Sequence, residues 1–412
     1  MIPSVLKLLI CPPKISGFQI AALGLVLAAW GGSHAVAEDA TSPSTEAKTI
    51  FYASGGPWGR LRCTDIHLEA PSNMVSRFAI PGPIPRWSFP SSELDSLGAM
   101  FRRAGLSEDS VAQLMSLDRI VREGGYVHLF PPVSLLESMA PETRLIVYTK
   151  LANHPINSYH SDPVLIVGET VEEFFATSDL SAEMVRRIER MCYKRGGTLA
   201  FSDPSVLIHY CEDENEVHQI MKAMTRTRSL MIRLELDVDS NVEEIVDYWT
   251  LGDGVRKKDI EPIIRSIIET RGLETLPLAQ VLPPLPRKLI YTYPGIELAK
   301  HGAFPDCHWT SLNFLNYEAH DYLLDADLAA LAVVEGCEKV DRPYRYGDIL
   351  MFVDQKSGRA FHSCVHLADD IVYTKNGRNI LSPWILAKLS DVVQLYMYKG
   401  SSVIQGYRRF TD

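Results

Sequence analysis

The sequence predicts two mixed modules of helix and strand. A larger α/β module of unassigned fold is expected over residues 51–272 and a smaller α+β module over 289–412. Three observations carry this. Helically spaced apolar residues alternate along the chain with short β-branched and aromatic runs. Pro277, Pro283, Pro284 and Pro286 cluster where they stop helices and stiffen the chain, marking 273–288 as a Pro-rich linker. The 412 residues exceed what one core ordinarily organises. Composition agrees: 46% hydrophobic and 22% charged residues argue against a disordered chain or a multi-span membrane protein. Its 25 Pro and 26 Gly follow no triplet period, which excludes collagen. The formal net charge of −10 repels phosphate backbones, so no nucleic-acid partner is expected.

Residues 1–37 read as a secretory signal peptide. Lys7 and Lys14 are the only charges before Glu38, an apolar run covers 18–30, and Ala35-Val36-Ala37 supplies a small-x-small cleavage site. The run is shorter than the ~20 residues of a spanning helix. The mature chain is therefore expected to begin near Glu38, to be periplasmic or extracellular, and to keep no membrane span. Mass spectrometry of the exported protein checks this; residues 1–30 found intact would favour an uncleaved anchor. Residues 38–50 are Ser/Thr/Glu/Ala-rich and read as a flexible leader.

Within the larger module, Pro81, Pro83, Pro85 and Pro90 break any long element before residue 90. Helices are expected over 92–104 and 107–123, and strands over 126–130, 144–151 and 163–167. Thr170 and Glu173 form a capping box opening a short helix. Ser181 caps the next, which Gly196 is expected to end. Strands at 199–201 and 206–210, a helix over 214–226 and an alternating strand over 230–238 follow. Ser240 with Glu243 opens another helix, and 262–271 a further one with Pro262 in its first turn.

Six of the seven cysteines (63, 192, 211, 307, 337 and 364) lie beyond the signal peptide, too sparse for a disulfide-stapled scaffold. Export permits a bridge, with Cys192 and Cys211 as candidates.

The chemistry concentrates in the smaller module. Asp306 is a natural N-cap, which puts Cys307 in the first turn of a helix. Free N–H groups and the helix dipole there favour a thiolate, while the Asp306 carboxylate opposes it unless those N–H groups absorb its charge. Tyr346-Gly347-Asp348 turns into an apolar strand ending at Phe352. From His362 the chain reads strand, turn at Asp369-Asp370, strand. His362, Cys364 and His366 share one face of the first of these strands. His362 is expected to face the Cys307 helix, with Val365 and Leu367 on the other side. A cysteine opening a helix, with a histidine on a later strand, is the layout of papain-like chemistry. The imidazole takes the thiol proton, and the Cys307 amide helps to form an oxyanion hole.

These segments resemble the NlpC-type cell-wall cysteine peptidases. Asp306-Cys307, Tyr346-Gly-Asp-Ile-Leu-Met-Phe352 and His362-Ser-Cys-Val-His-Leu-Ala368 are similar to that family's Asp-Cys helix start and its two following strands, and Tyr291-Thr-Tyr-Pro-Gly295 to its entry motif. The family's Asp-Cys-Ser-Gly is Asp-Cys-His-Trp here. The resemblance covers roughly residues 289–400. It implies an α+β papain-like (NlpC-type) C-terminal domain and a cysteine amidase or endopeptidase acting on peptidoglycan or another peptide. Cys307 would be the nucleophile, His362 the base, and Tyr291 a substrate-binding side chain. No metal or organic cofactor is implied. The third polar residue aligns best with Thr374, with Lys375 and Asn376 beside it. Thr374 and Asn376 share a face and can accept a hydrogen bond; a charged Lys375 cannot and points away.

Other readings compete. The same fold could transfer the acyl group to an amine or lipid, or be catalytically degenerate and bind a wall or partner. His362, Cys364 and His366 could hold zinc, although no Cys-x-x-Cys pair supports it. His154 and His160 fall in a Pro/Asn/Ser stretch and read as solvated. Asp237-Val-Asp-Ser-Asn241 reads as a helix cap, because it lacks the glycine and twelfth-position Glu of a calcium loop.

Overall fold

The computed structural model describes residues 50–77, 80–252, 254–295, 303–397 and 400–410. The expected signal peptide, and the leader up to residue 49, lie outside them. The architecture is mixed α/β. A six-stranded antiparallel sheet runs Cys337–Val340, Ser402–Arg409, Ile349–Asp354, Ala360–Ala368, Ile371–Lys375, Trp384–Lys388 in spatial order. Its central strands are apolar on both faces because helices cover both. On one face Val365 and Tyr373 pack with Trp309 and Phe314. On the other, Leu350, Phe352, Cys364 and Val372 pack with Leu389 and Val392 of the helix Leu389–Tyr396. The expected turn at Asp369-Asp370 is present, with Asp369 at φ 50°, a left-handed conformation that Asp tolerates better than most side chains.

The division of the chain is not where the prolines suggest. The long strands Arg60–Leu68 and Thr227–Glu235 pair along their whole length, Leu68 opposite Thr227. Everything between them returns to its starting point. One core, with Trp87, Phe89, Phe101, Tyr148, Phe174 and Phe201, is built from residues 70–223. A second joins Leu61, Leu230, Leu234, Trp249 and Ile264 to Trp309, Val365, Tyr373 and Trp384. It draws equally on both expected modules. The strands themselves are stitched: Ser229 Oγ donates to Leu386 O at 3.1 Å and accepts from Leu386 N at 3.2 Å.

The expected linker 273–288 is part of this second core. Thr275–Pro277 pairs with Arg233–Glu235, Leu278, Val281 and Leu282 are buried, and Pro284 begins the helix Pro284–Leu289. Those prolines start a helix, where a missing N–H costs nothing. The separable unit is thus the insertion between Leu68 and Thr227. Replacing 69–226 by a two-residue Asn-Gly turn is expected to leave a folded remainder. Residues 289–412 alone are expected to remain unfolded. Circular dichroism and urea melts of the two fragments check both; a folded 289–412 fragment would restore the proline boundary.

Several elements differ from expectation. Residues 144–151 lie in the helix Pro141–Ala152, and 206–210 largely in the helix Pro204–His209. Each has Pro at its start, and burial of one face overrides the β-branched content. The helix expected over 107–123 ends at Leu114, and Ile120–Glu123 forms a hairpin with Tyr126–Leu129 across Gly124 and Gly125, both at positive φ. Gly196 lies in a hairpin turn, because the preceding helix stops at Met191. Pro262 sits inside the helix Lys257–Glu269, and Asn241 rather than Ser240 caps Val242–Trp249. The Thr170–Glu173 capping box is formed. All six described cysteines are free, so the candidate pair Cys192 and Cys211 is not bridged.

Candidate functional site

Cys307 opens the helix Cys307–Leu312, capped by Asp306. Asp306 Oδ1 accepts from the amides of His308 and Trp309, both at 2.9 Å, and Oδ2 from Arg378 Nε at 3.2 Å. The carboxylate is therefore absorbed by partners of its own, and the amide that it leaves aside is that of Cys307. The helix is fixed to the sheet from both sides. Ser311 Oγ donates to Cys307 O at 2.9 Å, and Ser363 Oγ lies 3.1 Å from that carbonyl and 3.0 Å from His308 Nδ1. Thr310 Oγ1 donates to Asp306 O at 2.6 Å and accepts from Trp384 Nε1 at 3.0 Å. Burial lowers the pKa of His308, so that imidazole is neutral.

His362 is fully buried. Its Nε2 lies 3.2 Å from Thr374 Oγ1, the pairing expected of the third residue. Thr374 Oγ1 also lies 3.4 Å from Ser363 O, a pure acceptor. The hydroxyl hydrogen thus goes to the carbonyl, and the oxygen lone pair accepts from Nε2–H. This network assigns the proton to Nε2 and leaves Nδ1 as the basic nitrogen. Nδ1 is buried with no hydrogen-bond partner. Tyr396 stacks on the ring at 3.8 Å between centroids and 10° between planes, and Phe352 meets it at 5.4 Å and 68°. Tyr396 OH in turn donates to Asn376 Oδ1 at 3.4 Å. Asn376 therefore supports the stacked tyrosine, while Thr374 holds the histidine.

One expectation fails in its details. His362 does not lie on the face covered by the Cys307 helix. Val365 and Tyr373 occupy that face, and His362 turns toward the helix Leu389–Tyr396. The core needs the larger apolar side chains of 365 and 373 against Trp309, and strict alternation then sends 362, 364 and 374 the other way. Cys307, at the tip of its helix, still shares the neighbourhood of His362. A charge on its sulfur adds to the burial that raises Cys364 and Tyr396, both of which adjoin His362. The thiol and Nδ1 are not hydrogen-bonded.

Tyr291 has another task. Its hydroxyl donates to Leu230 O at 2.7 Å and its amide to Trp384 O at 2.9 Å. It ties the two long sheets together and does not offer its hydroxyl to a substrate. The zinc reading fails at His366, whose two ring nitrogens lie 3.2 Å from Arg345 O and 3.1 Å from Asp369 O. No group of three metal-binding side chains occurs among the described residues. His160 is buried against Tyr148 rather than solvated, and burial pushes its pKa down to about 3.

Asp348, in the turn expected to open its strand, accepts from both Nε and Nη2 of Arg408 at 2.8 Å. Two residues of this neighbourhood, Arg378 and Tyr396, were not singled out from sequence. Arg378 neutralises the cap. Tyr396 comes from a helix about thirty residues after His362, and no spacing rule links the two. No helix among the described residues is long and apolar enough to cross a membrane. Comparison with known protein families, with curated proteins and with solved structures found no match.

Proposed function

We propose that this chain is an exported cysteine amidase or endopeptidase with a papain-like, NlpC-type site, cleaving peptide amide bonds such as those of peptidoglycan. One observation carries the reading: Thr374 holds the Nε2 proton of His362 and leaves Nδ1 buried without a hydrogen-bond partner. In this reading Nδ1 takes the thiol proton and sulfur attacks the amide carbonyl. The Cys307 amide stabilises the oxyanion. Imidazolium then protonates the leaving amine, and water hydrolyses the thioester. The composition of 1–37 supports export.

The test compares purified cell wall treated with wild type and with Cys307→Ala, by mass of the released peptides, together with iodoacetamide labelling of Cys307 at pH 7. New peptide fragments and rapid labelling are expected from wild type alone. An inert Cys307 in the folded wild type would overturn the reading. Thr374→Val is expected to slow cleavage roughly tenfold to a hundredfold, by releasing the tautomer, at or below the lower end of what a general base itself contributes. Asn376→Ala is expected to have the smaller effect. Equal rates in Thr374→Val and wild type would place the orienting residue elsewhere.

A further inference from the structure

Lys375 is buried, charged and unused by the mechanism above. It ends the return strand Ile371–Lys375 and is fully excluded from solvent. It alternates with Thr374, so its side chain leaves the sheet on the face that carries the Cys307 helix. Its Nζ donates to Gly377 O at 2.8 Å and Asn379 O at 2.9 Å. Between those two residues stands Arg378, whose Nε reaches Asp306 Oδ2. One short turn therefore holds the ammonium and grips the residue before Cys307. The Trp384 ring, 6.0 Å from Nζ, is tied through Nε1 to Thr310 of the same helix.

We infer that Lys375 is a positioning charge for the nucleophile: its buried ammonium is the fixed counter-charge of the Cys307 thiolate. The inference rests on the amidase reading and adds to it a second residue that sets the reactivity of the sulfur. An ammonium has three donors, and here two meet neutral carbonyls. No carboxylate forms an ion pair with it among the described residues. Asp306 is occupied by two amides and Arg378. Asp162 is engaged by Asn379 Nδ2 at 3.2 Å, and burial raises its own pKa. Burial pulls Lys375 down to about 8, against the pull of Cys307, Asp306 and Asp162. The remaining titratable groups around the pair are His308 on the Cys307 helix, His362 and Cys364 on the sheet, Tyr396 on the helix beyond it, and Arg195 acting through Asp162. Holding the 377–379 turn would need only a neutral donor. A cation in this dry position acquires a purpose when the sulfur ionises, because each charge then relieves the burial cost of the other.

The test is the pH dependence of Cys307 alkylation by iodoacetamide in the full chain, followed by mass of the Cys307 peptide, for wild type and Lys375→Met. The variant is expected to react about tenfold more slowly at pH 7, with its midpoint raised by about one pH unit and an unchanged rate at high pH. Superimposable profiles would overturn the inference and leave the amidase reading standing. A wild-type Cys307 no more reactive than a free thiol would overturn both. If Lys375→Met does not fold, the reciprocal measurement decides. Cys307→Ser is expected to lower the midpoint at which the Lys375 Cε resonance titrates, since coupling acts equally on both partners. An unmoved midpoint would overturn the inference.

Discussion

His362→Ala is expected to slow amide cleavage by roughly a hundredfold to ten-thousandfold, the range spanned by positioned general acids and bases. The loss should be larger than that from Thr374→Val, because alanine removes the proton acceptor while valine only frees its orientation. The structure gives this substitution a particular signature. His362 is enclosed by Tyr396 and Phe352, so alanine leaves a gap between two aromatic rings as well as an absent base. Added imidazole, which fits that gap, is expected to restore part of the rate in proportion to its concentration. Iodoacetamide labelling of Cys307 at pH 7 should fall in the same variant and return at higher pH, where the thiol ionises without help. Unchanged cleavage in a folded His362→Ala protein would remove His362 from the mechanism.

The local chemistry of the site was legible in sequence to a greater extent than the layout that surrounds it. Asp306 as a cap, Cys307 in the first turn, the Asp369-Asp370 turn and the Thr374–His362 pairing all follow from short-range rules, which act within a few residues or across one hairpin. The face on which His362 lies was not legible. It is decided by which alternating set, 363/365 or 362/364, fills the space against Trp309, and both sets are rich in buriable side chains. Tyr291 was misplaced for a related reason: its partner, Leu230, is distant in sequence and belongs to a strand that looked like part of another domain. The insertion of 70–223 was hidden altogether. Nothing in 60–68 or 227–235 announces that these strands pair, and the prolines at 277–286, the strongest local punctuation in the chain, mark a strand edge and a helix start instead.

Trp384→Ala is expected to destabilise the chain by about 3–5 kcal/mol, the usual cost of removing a large buried aromatic ring. Trp384 is fully excluded from solvent on an edge strand, with its ring 6.2 Å from that of Trp309. Its amide donates to Thr292 O and its carbonyl accepts from Tyr291 N. The backbone contacts survive the substitution, so the strand should remain in place. The loss falls on the ring and on the Nε1–Thr310 Oγ1 bond that pins the Cys307 helix to the sheet. Trp384→Phe separates these effects. Phenylalanine keeps much of the apolar contact but cannot donate, so it should recover most of the stability while the helix stays unpinned. The pH midpoint of Cys307 alkylation by iodoacetamide should then rise in Trp384→Phe, because the helix that carries the thiol is no longer pinned to the sheet face from which Lys375 projects. Urea unfolding gives the first quantity and alkylation profiles the second. Full stability in Trp384→Ala would contradict a core shared between 227–290 and 309–386. A Trp384→Phe profile identical to wild type would show that the Cys307 helix is positioned by Ser311, Ser363 and Asp306 alone.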